Sequence, residues 1–79
     1  MPYTDEEKAI LSRLGEAIRK HRKAKGWSQE ELAFQAGLDR TYIGSVERGE
    51  RNIAVLNLVK VAEVLGVGVG ELVGNLEIQ

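Results

Sequence analysis

An all-α fold, a compact five-helix domain, is what these 79 residues predict, and three features carry the prediction. Apolar residues recur at three- and four-residue spacing, oxygen-bearing side chains stand where helices would start, and glycines stand where they would stop. The length sets a single domain over residues 1–79. A chain of this size buries only about 60 % of its unfolded surface, so association with a second copy would add stability that it lacks alone.

The first helix should start after Thr4. Thr4 and Glu7 have the spacing of a capping box, and Asp5, Glu6 and Glu7 put negative charge at the positive end of the helix dipole. It should run to about Lys25, with Leu11, Leu14 and Ile18 as its apolar stripe and Gly26 as its stop. Arg22 is the next residue on that stripe, and a charge directed into a core requires a partner. Trp27 is read as an apolar lid on the first two helices, with nucleobase stacking the minor alternative.

Ser28 and Glu31 form a second capping box, which starts a helix at about Gln29. Leu32, Ala33 and Ala36 lie on one face of it, and Gly37 supplies the left-handed residue that ends it. The turn is Gly37-Leu38-Asp39, and Asp39 caps a third helix from Arg40 to about Arg48. Ile43 and Val46 point inward, Gly49 permits the exit, and Arg40, Thr41, Ser45 and Arg48 are left on the outer face. Two helices of about eight residues cannot stand alone in water, so the remaining segments must bury their apolar faces. Two short helices at a tight bend on a scaffold is the form of a DNA-reading helix-turn-helix.

Beyond Gly49 the loop Glu50-Arg51-Asn52 sets a cation and an amide beside the third helix. The run Val55–Leu65, VLNLVKVAEVL, is rich in valine and would suit a strand, but its length, the glycine after it and the polar residues at Asn57, Lys60 and Glu63 decide for a helix. Its apolar face is wider than a monomer needs. The tail holds four glycines and Val67, Val69, Leu72, Val73, Leu76 and Ile78. A short fifth helix is expected over about Val69 to Leu76, weakened by Gly70 and Gly74.

The spacing Gln29, Glu31-Leu32-Ala33, Gly37, Ile43, Glu47, Gly49 resembles the Cro and phage-repressor helix-turn-helix family, and the run LDRTYIGSVERGERN resembles still more the controller proteins of bacterial restriction-modification systems. The likeness covers about Leu14 to Leu72. It implies a lambda-repressor-like fold and a dimer that binds a double-stranded DNA operator and regulates its own gene and that of the endonuclease. It also implies a buried Arg-Glu pair at the positions of Arg22 and Glu47, and a phosphate held by Gln29. The family often has hydroxyl caps where Ala54 and Gly68 stand here, so helix boundaries could differ.

A formal charge of −1 argues against a nucleic-acid partner until its distribution is considered. Between Arg13 and Lys25 stand Arg13, Arg19, Lys20, Arg22, Lys23 and Lys25 against the single acid Glu16, while the ends are acidic. A solvated helix face is the bland reading of such a run; next to the bend, proximity to phosphate is favoured. Base contacts are assigned to Arg40, which suits guanine O6 and N7, to Thr41, and to Tyr42 and Ser45 beside them. For Tyr42 two readings stay open, a ring packed under the third helix and a hydroxyl that reaches DNA. Gln29, Arg48, Arg51 and Asn52 are the backbone contacts. The surplus apolar residues of the last two helices suggest a homodimer seam, with Val67, Val69, Leu72 and Val73 as candidates and valines of the Val55–Leu65 helix beside them, although they could complete a monomer core.

No enzyme is expected, because no nucleophile has a base at a recognisable spacing and no phosphate-cradling loop or paired carboxylates occur. His21 is read as a surface or phosphate-facing side chain, with no metal role, and no cofactor or small-molecule effector is expected. The chain has no cysteine, no apolar run of about 18 residues and a polar, acidic start unlike a signal peptide, so a cytoplasmic place without a membrane is expected. Besides a phage-type repressor, the alternative is an antitoxin-like protein-interaction module; the outer Arg-Thr-Tyr run favours DNA over that module.

Overall fold

The computed structural model describes residues 2–77, and the apolar Ile78 of the tail lies outside them. Five helices occur among the described residues: α1 Asp5–Ala24, α2 Gln29–Ala36, α3 Arg40–Glu47, α4 Val55–Leu65 and α5 Val69–Val73. Local chemistry sets the starts. Thr4 Oγ1 accepts from the Glu7 amide at 3.1 Å, and Glu7 Oε1 accepts from the Thr4 amide at 2.9 Å. Asp39 Oδ1 accepts from the amides of Thr41 and Tyr42.

The box at Ser28 forms by half. Its hydroxyl accepts from the Glu31 amide, but the Glu31 carboxylate accepts from Gln35 Nε2 one turn on rather than reaching back. At Ala54 and Gly68 no side chain of the cap residue accepts from the first-turn amides, and the bonds present hold the cap residue's own amide. The Tyr42 hydroxyl accepts from the Ala54 amide at 3.1 Å, and Glu71 Oε1 accepts from the Gly68 amide at 3.1 Å.

The first four helices end alike. Gly26, Gly37, Gly49 and Gly66 have φ between 69° and 75°, and the residue after each donates back to a carbonyl five positions earlier, as Leu38 does to Ala33. Only glycine enters this left-handed turn without a Cβ penalty. The fifth helix differs. Gly74 stays right-handed, and α5 stops at Val73, three residues before the expected Leu76. Two glycines in so short a segment leave its stability to tertiary packing.

That packing converges on Ile18, Leu32, Ile43, Val46, Val61 and Leu72, each at most 2 % exposed. The α1 stripe Leu11, Leu14, Ile18 is buried, and so are Leu32, Ala33 and Ala36 of α2. Helix α1 lies across α3 and α5, while α2 rests on α3 and α4. Gly15, four residues after Leu11 and three before Ile18 on the same inner side, allows the α1–α3 approach: a Cβ there would fall 2.4 Å from the Glu47 carbonyl oxygen and 2.6 Å from that of Val46.

The burial of Leu72 corrects its place in the expected dimer seam. At 1 % exposure it belongs to the core of its own chain, because α5 folds back onto α1 and α4. Val67, Val69 and Val73 are half-buried against the same core. Apart from Phe34 of α2, 79 % exposed, and Tyr3, the open large apolar residues lie on α4, where Val55 and Leu56 are 72 % and 76 % exposed and Val59 stands one turn further on.

Candidate nucleic-acid interface

The bend Gly37-Leu38-Asp39 turns the start of α3 outward, so that Arg40 and Thr41 are exposed beside the first turn of α2. Beneath this surface lies an ion pair. Arg22 Nε donates to Glu47 Oε2 at 2.7 Å and its Nη2 to Oε1 at 2.9 Å, a two-pronged contact. The Arg22 side chain is 10 % exposed and that of Glu47 2 %. Arg22 Nη1 donates to the Trp27 carbonyl at 2.8 Å, which ties the end of α1 to the link that enters α2.

Glu47 also reaches the surface. Its Oε1 accepts from Gln29 Nε2 at 2.9 Å, so the buried carboxylate holds the first side chain of α2 against α3. Gly44 makes room for this: a Cβ there would stand 3.2 Å from Arg48 Nη1 and 3.3 Å from Gln29 Oε1. The signal for Gly44 is visible only after folding, since in the sequence it is one small residue between Ile43 and Ser45. No buried side-chain nitrogen or oxygen among the described residues lacks a partner.

The outer residues differ in how free they are. Arg40 Nη1 lies 3.4 Å from Glu30 Oε1, and Arg48 Nε lies 3.1 Å from Glu50 Oε1, both pairs in solvent. Ser45 is half-buried and its hydroxyl donates to the Tyr42 carbonyl at 2.8 Å, on its own helix. Tyr42 is half-buried too, and its hydroxyl oxygen has partners within the chain, which leaves its O–H proton to donate elsewhere. That oxygen accepts from the Ala54 amide and from Asn57 Nδ2 at 3.2 Å, which joins α3 to the start of α4. Arg51 lies over the Tyr42 ring, 5.3 Å from its centroid. Asn52 is exposed and borders a shallow hollow with Tyr3, Glu7, Ile10 and Leu11, toward the start of α1.

The basic run of α1 divides into three. Arg22 is buried; Arg13, Lys20 and His21 line a groove that faces Glu71 of α5 and Asn75; Arg19, Lys23 and Lys25 are exposed at the end of α1 that leads into α2. Trp27 is half-buried against the core, with Lys25 Nζ 4.9 Å from its ring centroid. No group of three or more histidine, cysteine, aspartate and glutamate side chains that could hold a metal ion occurs among the described residues.

Two short helices at a fixed bend, the second carrying an exposed arginine and threonine at its start, define a helix-turn-helix protein. The chain belongs to the helix-turn-helix family, whose model matches residues 18–72. It is similar to the Neisseria hypothetical transcription factor of Neisseria meningitidis serogroup B, 49% identical over 67 residues that make 85% of this chain and 63% of that protein. The chain thus spans less than two thirds of that relative. It is also similar to the crystal structure of the restriction-modification controller protein C.AhdI from Aeromonas hydrophila, with 50% identity, a TM-score of 0.77 and coverage of 78% of this chain and 94% of that one. A third similar structure is the restriction-modification controller protein C.Esp1396I as a tetramer in complex with its natural 35 base-pair operator, with 41% identity, a TM-score of 0.70 and coverage of 75% and 78%.

Proposed function

We propose that the protein is a sequence-specific, double-stranded DNA-binding transcriptional regulator, the controller of a restriction-modification system, which binds a pseudo-palindromic operator as a homodimer. The observation that carries this reading is the exposed start of α3, with Arg40 and Thr41 free of the core and the helix beneath them fixed by the Arg22–Glu47–Gln29 contacts. An α-helix end held this way fits a major groove, and Arg40 has the fork that guanine O6 and N7 accept. Similarity to a controller seen on its operator supports the same partner.

In this reading Gln29, at the first position of α2, takes a phosphate with its remaining amide hydrogen, aided by the helix dipole. Arg19, Lys23 and Lys25 extend the track along the DNA backbone, and Arg48, Arg51 and Asn52 flank it on the other side. Two subunits would meet successive major grooves roughly 34 Å apart. Their seam is assigned to the outer face of α4, through Val55, Leu56 and Val59, the open apolar residues nearest one another in sequence. The regulator would act in the cytoplasm as a single domain, without catalysis, cofactor or small-molecule effector, and its response would follow its own concentration through dimerisation. No helix among the described residues is long and apolar enough to cross a membrane.

Enrichment of binding sites from a random-sequence duplex library tests the proposal. A two-fold symmetric sequence should emerge, and Arg40→Ala should weaken binding to it by about 1–3 kcal/mol with little change on a scrambled duplex. Enrichment of no sequence refutes the operator reading; equal losses on both duplexes remove Arg40 from base reading.

A further inference from the structure

Glu30 occupies the second position of α2, and its Oε1 lies 3.4 Å from Nη1 of Arg40 across the bend. Both side chains are open to solvent, 71 % and 66 % exposed, so nothing in the packing of the core requires the contact. An exposed pair of this kind contributes little to folding. Its position is what matters, because it spans the first turns of the two helices that meet DNA in the reading proposed above.

A guanidinium has five N–H bonds on three nitrogens. A carboxylate oxygen on Nη1 leaves the edge formed by Nε and Nη2 open, and that edge carries the parallel pair of donors that a guanine accepts. A phosphate, by contrast, is attracted by net positive charge, and here the neighbouring carboxylate offsets that charge and repels phosphate oxygens. The same contact therefore presents Arg40 to a base and withholds it from the backbone. We infer that Glu30 is a specificity-determining positioning residue, which acts on DNA recognition through Arg40. This role rests on the operator-binding reading.

The test uses the unmodified chain and its Glu30→Ala variant, with a duplex enriched by the unmodified protein and a scrambled duplex of the same length. Glu30→Ala should strengthen binding to the scrambled duplex and lower the ratio of the two affinities by about fivefold, the upper range for an exposed pair. Its log–log salt slope on scrambled DNA should steepen by about 0.9, the signature of one added phosphate contact. Base preference at the guanine under Arg40 should relax, and in an Arg40→Ala background the effect of Glu30→Ala on the ratio should vanish. Equal strengthening on both duplexes would overturn the inference, because it reports loss of charge alone; an unchanged ratio with unchanged affinities would overturn it too. If the unmodified protein enriches no sequence, the operator reading itself has failed and the role of Glu30 falls with it.

Discussion

Glu47→Ala removes the anion that Arg22 faces in the interior. In the intact chain Arg22 donates to both oxygens of Glu47 and to the Trp27 carbonyl, and its side chain is only 10 % exposed. Loss of Glu47 leaves one of those three bonds and an uncompensated charge in an apolar setting. Breaking a buried pair in this way costs about 3–5 kcal/mol, and the surviving bond to Trp27 places the expected loss near the lower end. For a domain of 60–100 residues each kcal/mol moves the midpoint by about 4–8 °C, so a loss of about 3 kcal/mol lowers Tm by about 12–24 °C. Far-ultraviolet circular dichroism on heating measures it. The companion variant Arg22→Met with Glu47→Leu removes both charges and should recover most of the loss, since apolar replacements of a buried pair are often neutral. It should still bind DNA less well, because Gln29 has lost the oxygen that holds it. A Glu47→Ala midpoint within about 2 °C of the unmodified chain would refute the reasoning, being less than about half a kcal/mol. So would a double variant as unstable as the single one.

Four further substitutions test the packing and the seam. Gly15→Ala improves helix propensity but sets a Cβ 2.4 Å from a backbone oxygen of α3, so stability in urea should fall by about 1–3 kcal/mol; a higher midpoint would show that α1 and α3 can separate freely. Tyr42→Phe removes the acceptor for the Ala54 amide and Asn57, which should cost about 0.5–1.5 kcal/mol and speed hydrogen exchange at the Ala54 amide; unchanged exchange there would show that the hydroxyl does not hold it. Leu72→Asp should abolish most of the helical signal, whereas Leu56→Asp should keep it and sediment as a monomer; a dimeric Leu56→Asp chain would move the seam off α4.

The sequence by itself determined the elements and most of the core, because the signals are local. Thr4, Ser28 and Asp39 lie within three residues of the amides they satisfy, and Gly26, Gly37, Gly49 and Gly66 act on the turn they occupy. The three- and four-residue spacing of Leu11, Leu14 and Ile18 fixes which side of α1 turns inward whatever it packs against. The family likeness added the fold and a candidate partner for Arg22, which lies 25 positions from Glu47.

Only the tertiary structure decided how each exposed or half-buried side chain is used. Leu72 and Leu56 have the same side chain, and the fold-back of α5 buries the first while leaving the second in solvent. The Tyr42 hydroxyl accepts from the Ala54 amide, 12 positions along the chain, and so joins α3 to the start of α4. The spacing puts Gly15 on the inner side of α1, but its role as clearance, like that of Gly44, appears only when another element crosses it. The pairing of Glu30 with Arg40 depends on the angle at which α2 and α3 meet. A residue's own type and neighbours settle its helix and its inward or outward side; its contact across the fold depends on packing that no local pattern encodes.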